Sequence, residues 1–490
     1  MILLWMIIVL LAGGLLCWFP GRQSSGYPRW IALLTVSADM ILACCLCWLY
    51  HEFPDKSSWF INYQINWIPS MGVSLHVALD GFGMVLLLLT FFLGILAVLC
   101  SWNEIREKTG FYYFNLLWTL AGISGVFVAM DLFLFYFCWE VMLIPMYLLI
   151  ILWGDSRRRY AAYKFFLFTQ AGSLLMLLSI LALYFIHGQQ TGQYTFDYFE
   201  LLRTTFKGDT AWWIMAGFMI AFTIKLPIVP FHNWLPDAHS EAPTAGSLLL
   251  AGLLLKTGAY GIIRFVLPLF PEASVAIAWW AMLFGVIGII YGAFLAFSQT
   301  DIKRLIAYTS VSHMGFVLTG IFSFSEIAMQ GVVMQMLTHG LSTGALFVMA
   351  GMLKERLHTR DITKMGGLWT SMPAMGGAAI LFTMASSGLP LLGNFIAEFF
   401  ILLGTFTVNV LFSVLASVGL VLSALYGLRL LQRVFMGAIV VSNPVRDLST
   451  REMLIMAALS VSIVALGLYP QPVIDTVHHL SFTLQPLLHE

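Results

Sequence analysis

Six titratable residues, Glu140, Lys225, Lys256, His313, His339 and Glu398, each stand inside a long apolar run. Glu398 is the clearest: it is the only charge in SSGLPLLGNFIAEFFILLGTF, residues 386–406. A lone charged side chain at the centre of a bilayer costs about 3 kcal/mol, so such residues are rare there and mark ion or proton pathways. The residue types suit proton transfer. A buried ammonium gives up its proton more readily, and a nearby carboxylate makes it hold on. Histidine relays protons near neutral pH.

Each residue also has a plainer reading. Glu140, in FLFYFCWEVMLIPMY, could be a salt-bridged packing residue; the functional reading pairs it with Lys225. Lys225, two residues before Pro227, could cap carbonyls freed by a broken helix, with or without a transport role. Lys256 is flanked by Gly252, Thr257 and Gly258, which leave room for water or for close helix packing. Gln335, Thr338, His339, Ser342 and Thr343 form one helical stripe, and Thr309, Ser312 and His313 another. Such stripes serve either as relays or as hydrogen-bonded glue between helices. Asp39 is also mid-run and stays unassigned. Asp80, Glu104 and Asp131 fall near run ends, where charge is unremarkable; Glu104 is a candidate to support the Glu140 pair.

The elements that must hold these residues are membrane helices. The chain is 60% hydrophobic and only 10% charged, with mean hydropathy +0.89. Apolar runs of about 20 residues, each long enough to cross a bilayer, recur throughout. They do not alternate as barrel strands would. The pattern predicts an all-α polytopic membrane protein of fourteen spans, near 2–19, 30–49, 78–101, 111–130, 131–153, 161–186, 211–233, 242–264, 273–297, 301–322, 326–353, 371–405, 408–436 and 453–470. The first is read as a helix, because it lacks a basic leader and a cleavage site. Of the 24 lysines and arginines, 18 fall in the odd-numbered loops and four in the even ones. Basic loops stay cytoplasmic, so both termini are expected outside, in the periplasm of a bacterial inner membrane.

Two spans read as broken helices. FTIKLPIVPFHNWLPDAHSEAP (222–243) and the stretch around Gly388, Pro390 and Gly393 both carry Leu-Pro in mid-span, where proline opens the helix. These are the seventh and twelfth spans. The sixth and eleventh also resemble one another, as FTQAGSLLM and LTHGLSTGA. Spans 4–8 and 9–13 are therefore expected to form inverted five-helix repeats, a transporter signature. The expected division is 1–110, 111–264, 273–436 and 437–490. The six cysteines show no metal or redox spacing. No nucleotide loop, haem or iron–sulfur motif is present, and near-zero net charge gives no sign of nucleic acid.

WEVMLIPMYLLI, TIKLPIVPFHNWLPDAHSEAPTAGSLLLAGLLLKTGAYGIIR and QTDIKRLIAYTSVSHMGF resemble the antiporter-like subunits of respiratory complex I, a family shared with Mrp-type cation/proton antiporters. The resemblance implies fourteen helices, broken seventh and twelfth spans, and a buried proton route. That route runs over Glu140 with Lys225, then Lys256, His313 and His339, to Glu398. It implies no cofactor in this chain; FMN, iron–sulfur clusters and quinone belong to partner subunits of NADH–quinone oxidoreductase. The implied neighbours are L-type and N-type antiporter-like subunits and membrane lipids. Those two types carry lysine where this chain has Glu398, so the resemblance points to the glutamate-bearing branch. An Mrp-type antiporter subunit and a non-conducting spacer of the membrane arm are the alternatives.

Overall fold

The structure is a computed structural model that describes residues 1–19, 26–52, 59–440 and 445–476. The reading of Arg22 and Lys56 as loop charges, and of the tail beyond residue 476, lies outside the described residues. Eleven helices among the described residues are long and apolar enough to cross a membrane. In chain order the helices are α1 (Ile2–Trp18), α2 (Tyr27–His51), α3 (Gly81–Glu104), α4 (Thr109–Val128), α5 (Leu132–Trp153) and α6 (Arg158–Thr191). They continue with α7 (Thr210–Lys225), α8 (Trp234–Glu241), α9 (Thr244–Leu269, with two π turns) and α10 (Pro271–Ser298). The rest are α11 (Ile302–Phe322), α12 (Glu326–Leu357), α13 (Pro373–Ser386), α14 (Gly393–Val408), α15 (Val410–Val434) and α16 (Thr450–Leu468).

The burial pattern sorts these helices. α9, α11 and α12 are buried on nearly every side, whereas α2, α6, α15 and α16 present long apolar faces outward. A helix enclosed all round can carry polar groups that lipid would reject. The candidate polar stripes lie on the enclosed helices.

One element departs from the all-α expectation. β1 (Ile61–Ile68) and β2 (Val73–Leu79) form an antiparallel hairpin, with Ile61 opposite Leu79 and Asn66 opposite Ser74. Its turn closes through Gly72 at φ +67°, which glycine tolerates. The segment INYQINWI alternates apolar and polar residues, the strand period. Hydropathy averaged over a membrane-length window blurs that period, so the third span was expected to begin at 78, inside β2. The hairpin is fastened below. Ser74 N and Oγ both donate to Asp131 Oδ2, at 2.8 and 3.1 Å. His76 Nδ1 meets Asp197, and its Nε2 lies 2.6 Å from Asn62 Oδ1.

Both broken spans are interrupted. α7 stops at Lys225 and α8 starts at Trp234; α13 stops at Ser386 and α14 starts at Gly393. The same hydrogen bonds close both breaks. Leu226 N donates to Phe222 O, Ile228 N to Thr223 O and Phe231 N to Ile228 O, at 2.8, 3.0 and 2.6 Å. Ser387 N to Thr383 O, Leu389 N to Met384 O and Leu392 N to Leu389 O repeat them at 3.0, 3.0 and 3.2 Å, each 161 residues later. This register sets Pro227 against Gly388. The two Leu-Pro pairs noted in the sequence are therefore two residues out of step: Gly388, at φ +72°, turns the second chain where proline turns the first.

A second correspondence lies at the helix starts. Asp131 caps α5 by accepting from Phe133 N and Leu134 N, and bridges to Asp197 through Leu132 N to Phe196 O and Tyr198 N to Met130 O. Asp301 caps α11 through Lys303 N and Arg304 N, and bridges to Asp361 through Ile302 N to Arg360 O and Ile362 N to Thr300 O.

Asp80 and Arg264, expected near span ends, form a fully buried pair at 2.5 Å that joins α3 to α9. Asp80 also caps α3 at Gly83 N, and Arg264 stacks against Trp59 and Tyr260. Removing one partner of a buried pair costs about 3–5 kcal/mol, because the other charge is left bare. Asp80→Ala should lower the heat-denaturation midpoint of the detergent-extracted protein sharply. The double variant Asp80→Ala/Arg264→Met should regain most of it; equal loss in single and double variants would contradict the pairing.

Candidate proton-transfer site

α9 is deformed where it carries Lys256. A π turn at Leu250–Leu254 precedes the lysine and another at Ile262–Val266 follows it. Single π turns inside α-helices widen the helix and are found at functional sites. Lys256 is fully buried; its Nζ donates to the Ala251 carbonyl and lies 2.7 Å from His339 Nδ1 on α12. Gly258, two residues on, lets α9 lie against α7: a Cβ there would sit 2.6 Å from Phe222 O and 3.1 Å from Lys225 Cβ.

The line continues from His339. Its ring centroid is 5.5 Å from that of His313 on α11, and its Nε2 has no partner. His313 Nδ1 is 2.9 Å from Glu398 Oε1, and its Nε2 is 3.1 Å from Ser386 Oγ. Gln335 Nε2 donates to Glu398 Oε1 at 3.2 Å. The other carboxylate oxygen is buried without a partner, and a Cβ on Gly388 would come within 2.9 Å of it. The order is thus Lys256, His339, His313, Glu398, with the last two joined across the second break. Four of the six sequence-derived residues form one buried row.

The expected Glu140–Lys225 pair is not in direct contact. Lys225 Nζ is buried with no hydrogen-bond partner, held between the rings of Trp139 and Phe165 at 5.5 and 5.3 Å. Glu140 is half-buried, with one carboxylate oxygen unpartnered. Trp139, the residue before Glu140 on α5, thus supplies one of the two rings beside the lysine. The carbonyl-capping reading of Lys225 also fails on geometry. The Ile224 carbonyl freed by the break is taken by the Trp234 indole N–H at 2.9 Å. Glu104 does not support Glu140 either; it accepts from Thr244 N at 3.1 Å, at the start of α9. Asp39 is fully buried, with neither oxygen partnered.

Several polar residues were passed over in the sequence. His239 on α8 is fully buried, stacked on Phe347 at 4.6 Å, with both ring nitrogens free. His232, within the first break, is 3% exposed and equally unpartnered. Lys303, at the start of the tenth span, is buried and donates to Ala242 O at 2.8 Å. The sequence signal was available: His232, Asp237 and His239 all lie within the broken stretch. At the α8 end, Arg360 gathers Asp155, Glu241 and Asp301, at 2.9, 3.0 and 3.0 Å. Burial alone would lower its pKa; Asp301, Glu241 and Asp155 outweigh that and raise it above the ordinary value.

Broken helices flanking a buried row of lysine, histidine and glutamate define a polytopic membrane protein built to carry charge inside itself. The chain belongs to the NADH:quinone oxidoreductase/Mrp antiporter transmembrane family, whose model matches residues 129–423. It is 51% identical over 487 residues to NADH-quinone oxidoreductase subunit M of Pseudomonas aeruginosa, covering 97% of this chain and 96% of that one. A chain of respiratory complex I from Thermus thermophilus superposes with TM-score 0.88 at 29% identity, covering 99% of this chain and 100% of that one. A chain of the Mrp complex from a Dietzia species matches in fold, with TM-score 0.87 at 21% identity over 99% and 97%.

The Lys256–His339 contact is open to test. His339→Leu leaves the ammonium a single carbonyl acceptor and should destabilise the protein by about 1–3 kcal/mol. His339→Gln, which keeps an acceptor, should cost less. Equal heat-denaturation midpoints for the two variants would show that the ring contributes no hydrogen bond.

Proposed function

We infer that this chain is the M-type subunit of a proton-translocating NADH–quinone oxidoreductase, and that it moves protons while electrons travel elsewhere in the complex. The observation that carries the mechanism is the enclosed row Lys256–His339–His313–Glu398, which ends at a broken helix. Full-length similarity to the Pseudomonas subunit and the fit to a complex I chain support the enzyme context.

The spans number fourteen when α7 with α8, and α13 with α14, each count as one interrupted crossing. The repeated hydrogen bonds at the two breaks, and the repeated aspartate bridges ahead of α5 and α11, support inverted repeats over spans 4–8 and 9–13. On this topology the basic loops face the cytoplasm and the termini the periplasm. Protons are taken up on the cytoplasmic side, reach Lys225 and Lys256, pass His339 and then His313, and leave from Glu398 toward the outside. The His339 and His313 rings meet edge to face without a hydrogen bond, so transfer between them needs a bridging water, for which the free Nε2 of His339 is a partner. Glu140, half-buried on α5, couples to Lys225 through space. Loss or gain of charge there biases the lysine, and the lysine biases Lys256 across the Gly258 contact.

The flavin, iron–sulfur clusters and quinone of such an enzyme belong to partner subunits. The outward faces of α2, α6, α15 and α16 are available to lipid and to L-type and N-type neighbours. A non-conducting spacer would have no use for a row of buried titratable groups. An Mrp-type role is kept distinct by the chain's 51% identity to the oxidoreductase subunit, against 21% to the Mrp chain.

Glu140→Gln and Lys225→Ala should each cut NADH-driven proton pumping to about a tenth or less, equivalent to about 1.4 kcal/mol or more on the transfer barrier. Quinone reductase activity should fall with it. Wild-type rates of both, in a fully assembled complex, would sink the mechanism.

A further inference from the structure

The hydrogen-bond register of the two breaks assigns counterparts residue by residue. At the same offset of 161, Ser386 stands where Lys225 does, and Glu398 stands where Asp237 does. Each post-break half-helix therefore carries a carboxylate at one and the same position. Their surroundings differ. Glu398 is enclosed and held by an imidazole and an amide. Asp237 is partly exposed, with Oδ2 2.7 Å from Lys164 Nζ and Oδ1 2.6 Å from Arg304 NH1. Both oxygens are taken by cations, so Asp237 is badly placed to hand on a proton itself. Behind it on the same segment, the His232 ring is buried with both nitrogens free, and Lys164 is the charge that acts on it.

We propose that Asp237 is a positioning residue for proton uptake, the register-equivalent of Glu398 at the opposite mouth of the route. Its carboxylate compensates Lys164 and Arg304, so that a proton can approach His232 and the first break. Without it two cations stand bare at the mouth and repel the incoming charge, an effect that a low-dielectric surround strengthens. The inference rests on the proton-transfer reading above. It adds a residue for which an ordinary structural ion pair would suffice, unless charge itself is what matters.

The two roles separate by charge rescue in the assembled complex, measured as NADH-driven proton uptake into inverted membrane vesicles per quinone reduced. Asp237→Asn should lower pumping about fivefold or more. Lys164→Met alone should stay near wild type, and Asp237→Asn/Lys164→Met should recover to within about twofold. Asp237→Glu, which keeps the carboxylate, should also pump. A structural ion pair gives another pattern: Lys164→Met as damaging as Asp237→Asn, and no recovery in the double variant. That pattern overturns the proposal, as does wild-type pumping by Asp237→Asn. Should the single asparagine variant fail to assemble, the double variant and Asp237→Glu decide alone. Lys256→Ala is the control: if it pumps normally, the proton-transfer reading itself fails. If it is dead while Asp237→Asn is normal, only the role of Asp237 falls.

Discussion

A charge inside an apolar body must find its compensation within the chain, and the unusual features of this fold answer to that constraint. Lys256 is met by a carbonyl and an imidazole, Glu398 by an imidazole and an amide, and Arg264 by Asp80. These contacts come from helices that are themselves enclosed, chiefly α9, α11 and α12. The outer helices can then be plain apolar shells. Interrupted helices obey the same rule for backbone groups: the carbonyl opened at Ile224 is closed by the Trp234 indole. Charge and broken backbone can coexist at membrane depth because other protein surrounds both.

The compensation is incomplete. Lys225 Nζ, both nitrogens of His232 and His239, Nε2 of His339 and Oε2 of Glu398 have no partner. Buried polar groups are nearly always satisfied, and exceptions ask for a reason such as water or a catalytic role. These atoms lie along the interrupted helices and the row between them, while others, such as both oxygens of Asp39 on α2, lie elsewhere. On the proton-transfer reading the former are the atoms that exchange protons with water. The Arg360 cluster, which holds helices together through three carboxylates, is bonded far more fully.

Much of this was legible in the sequence, and for definite reasons. Lone charges in apolar runs stand out, so all six candidates were identifiable, and Leu-Pro in mid-span marked both breaks. What escaped needed shorter range or finer register. The β1–β2 hairpin has a two-residue period that a membrane-length window averages away. Lys303 and Arg264 sit near run ends, where only the fold decides between a loop and a core. Asp237 and His239 lie in a stretch read as one break, with no sign of which residues face inward. Glu140 and Lys225, paired on sequence grounds, make no direct ion pair among the described residues, because spacing gives the helix but not the reach of the side chain.

The register of the two breaks also bears on why lysine serves on one side and glutamate on the other. Aligned by their prolines, Lys225 and Glu398 look like the same site with its sign reversed. Aligned by their hydrogen bonds they are different sites: the lysine closes a helix, and the glutamate lies in the first turns of the next. A helix C-terminus favours a cation and a helix N-terminus an anion, because the unsatisfied carbonyls and amides there carry opposite partial charge. Lys225 is the last residue of α7, and Glu398 is five residues past the first of α14. Lys225 is thus on the end of its helix that supports a cation, whereas Glu398, in the second turn, is held by the His313 imidazole and the Gln335 amide instead. The second repeat leaves the cation's place to Ser386, which instead engages His313, so the imidazole takes over there as the partner of the carboxylate. The two breaks thus share one hydrogen-bond pattern while one carries its buried charge before the gap and the other after it.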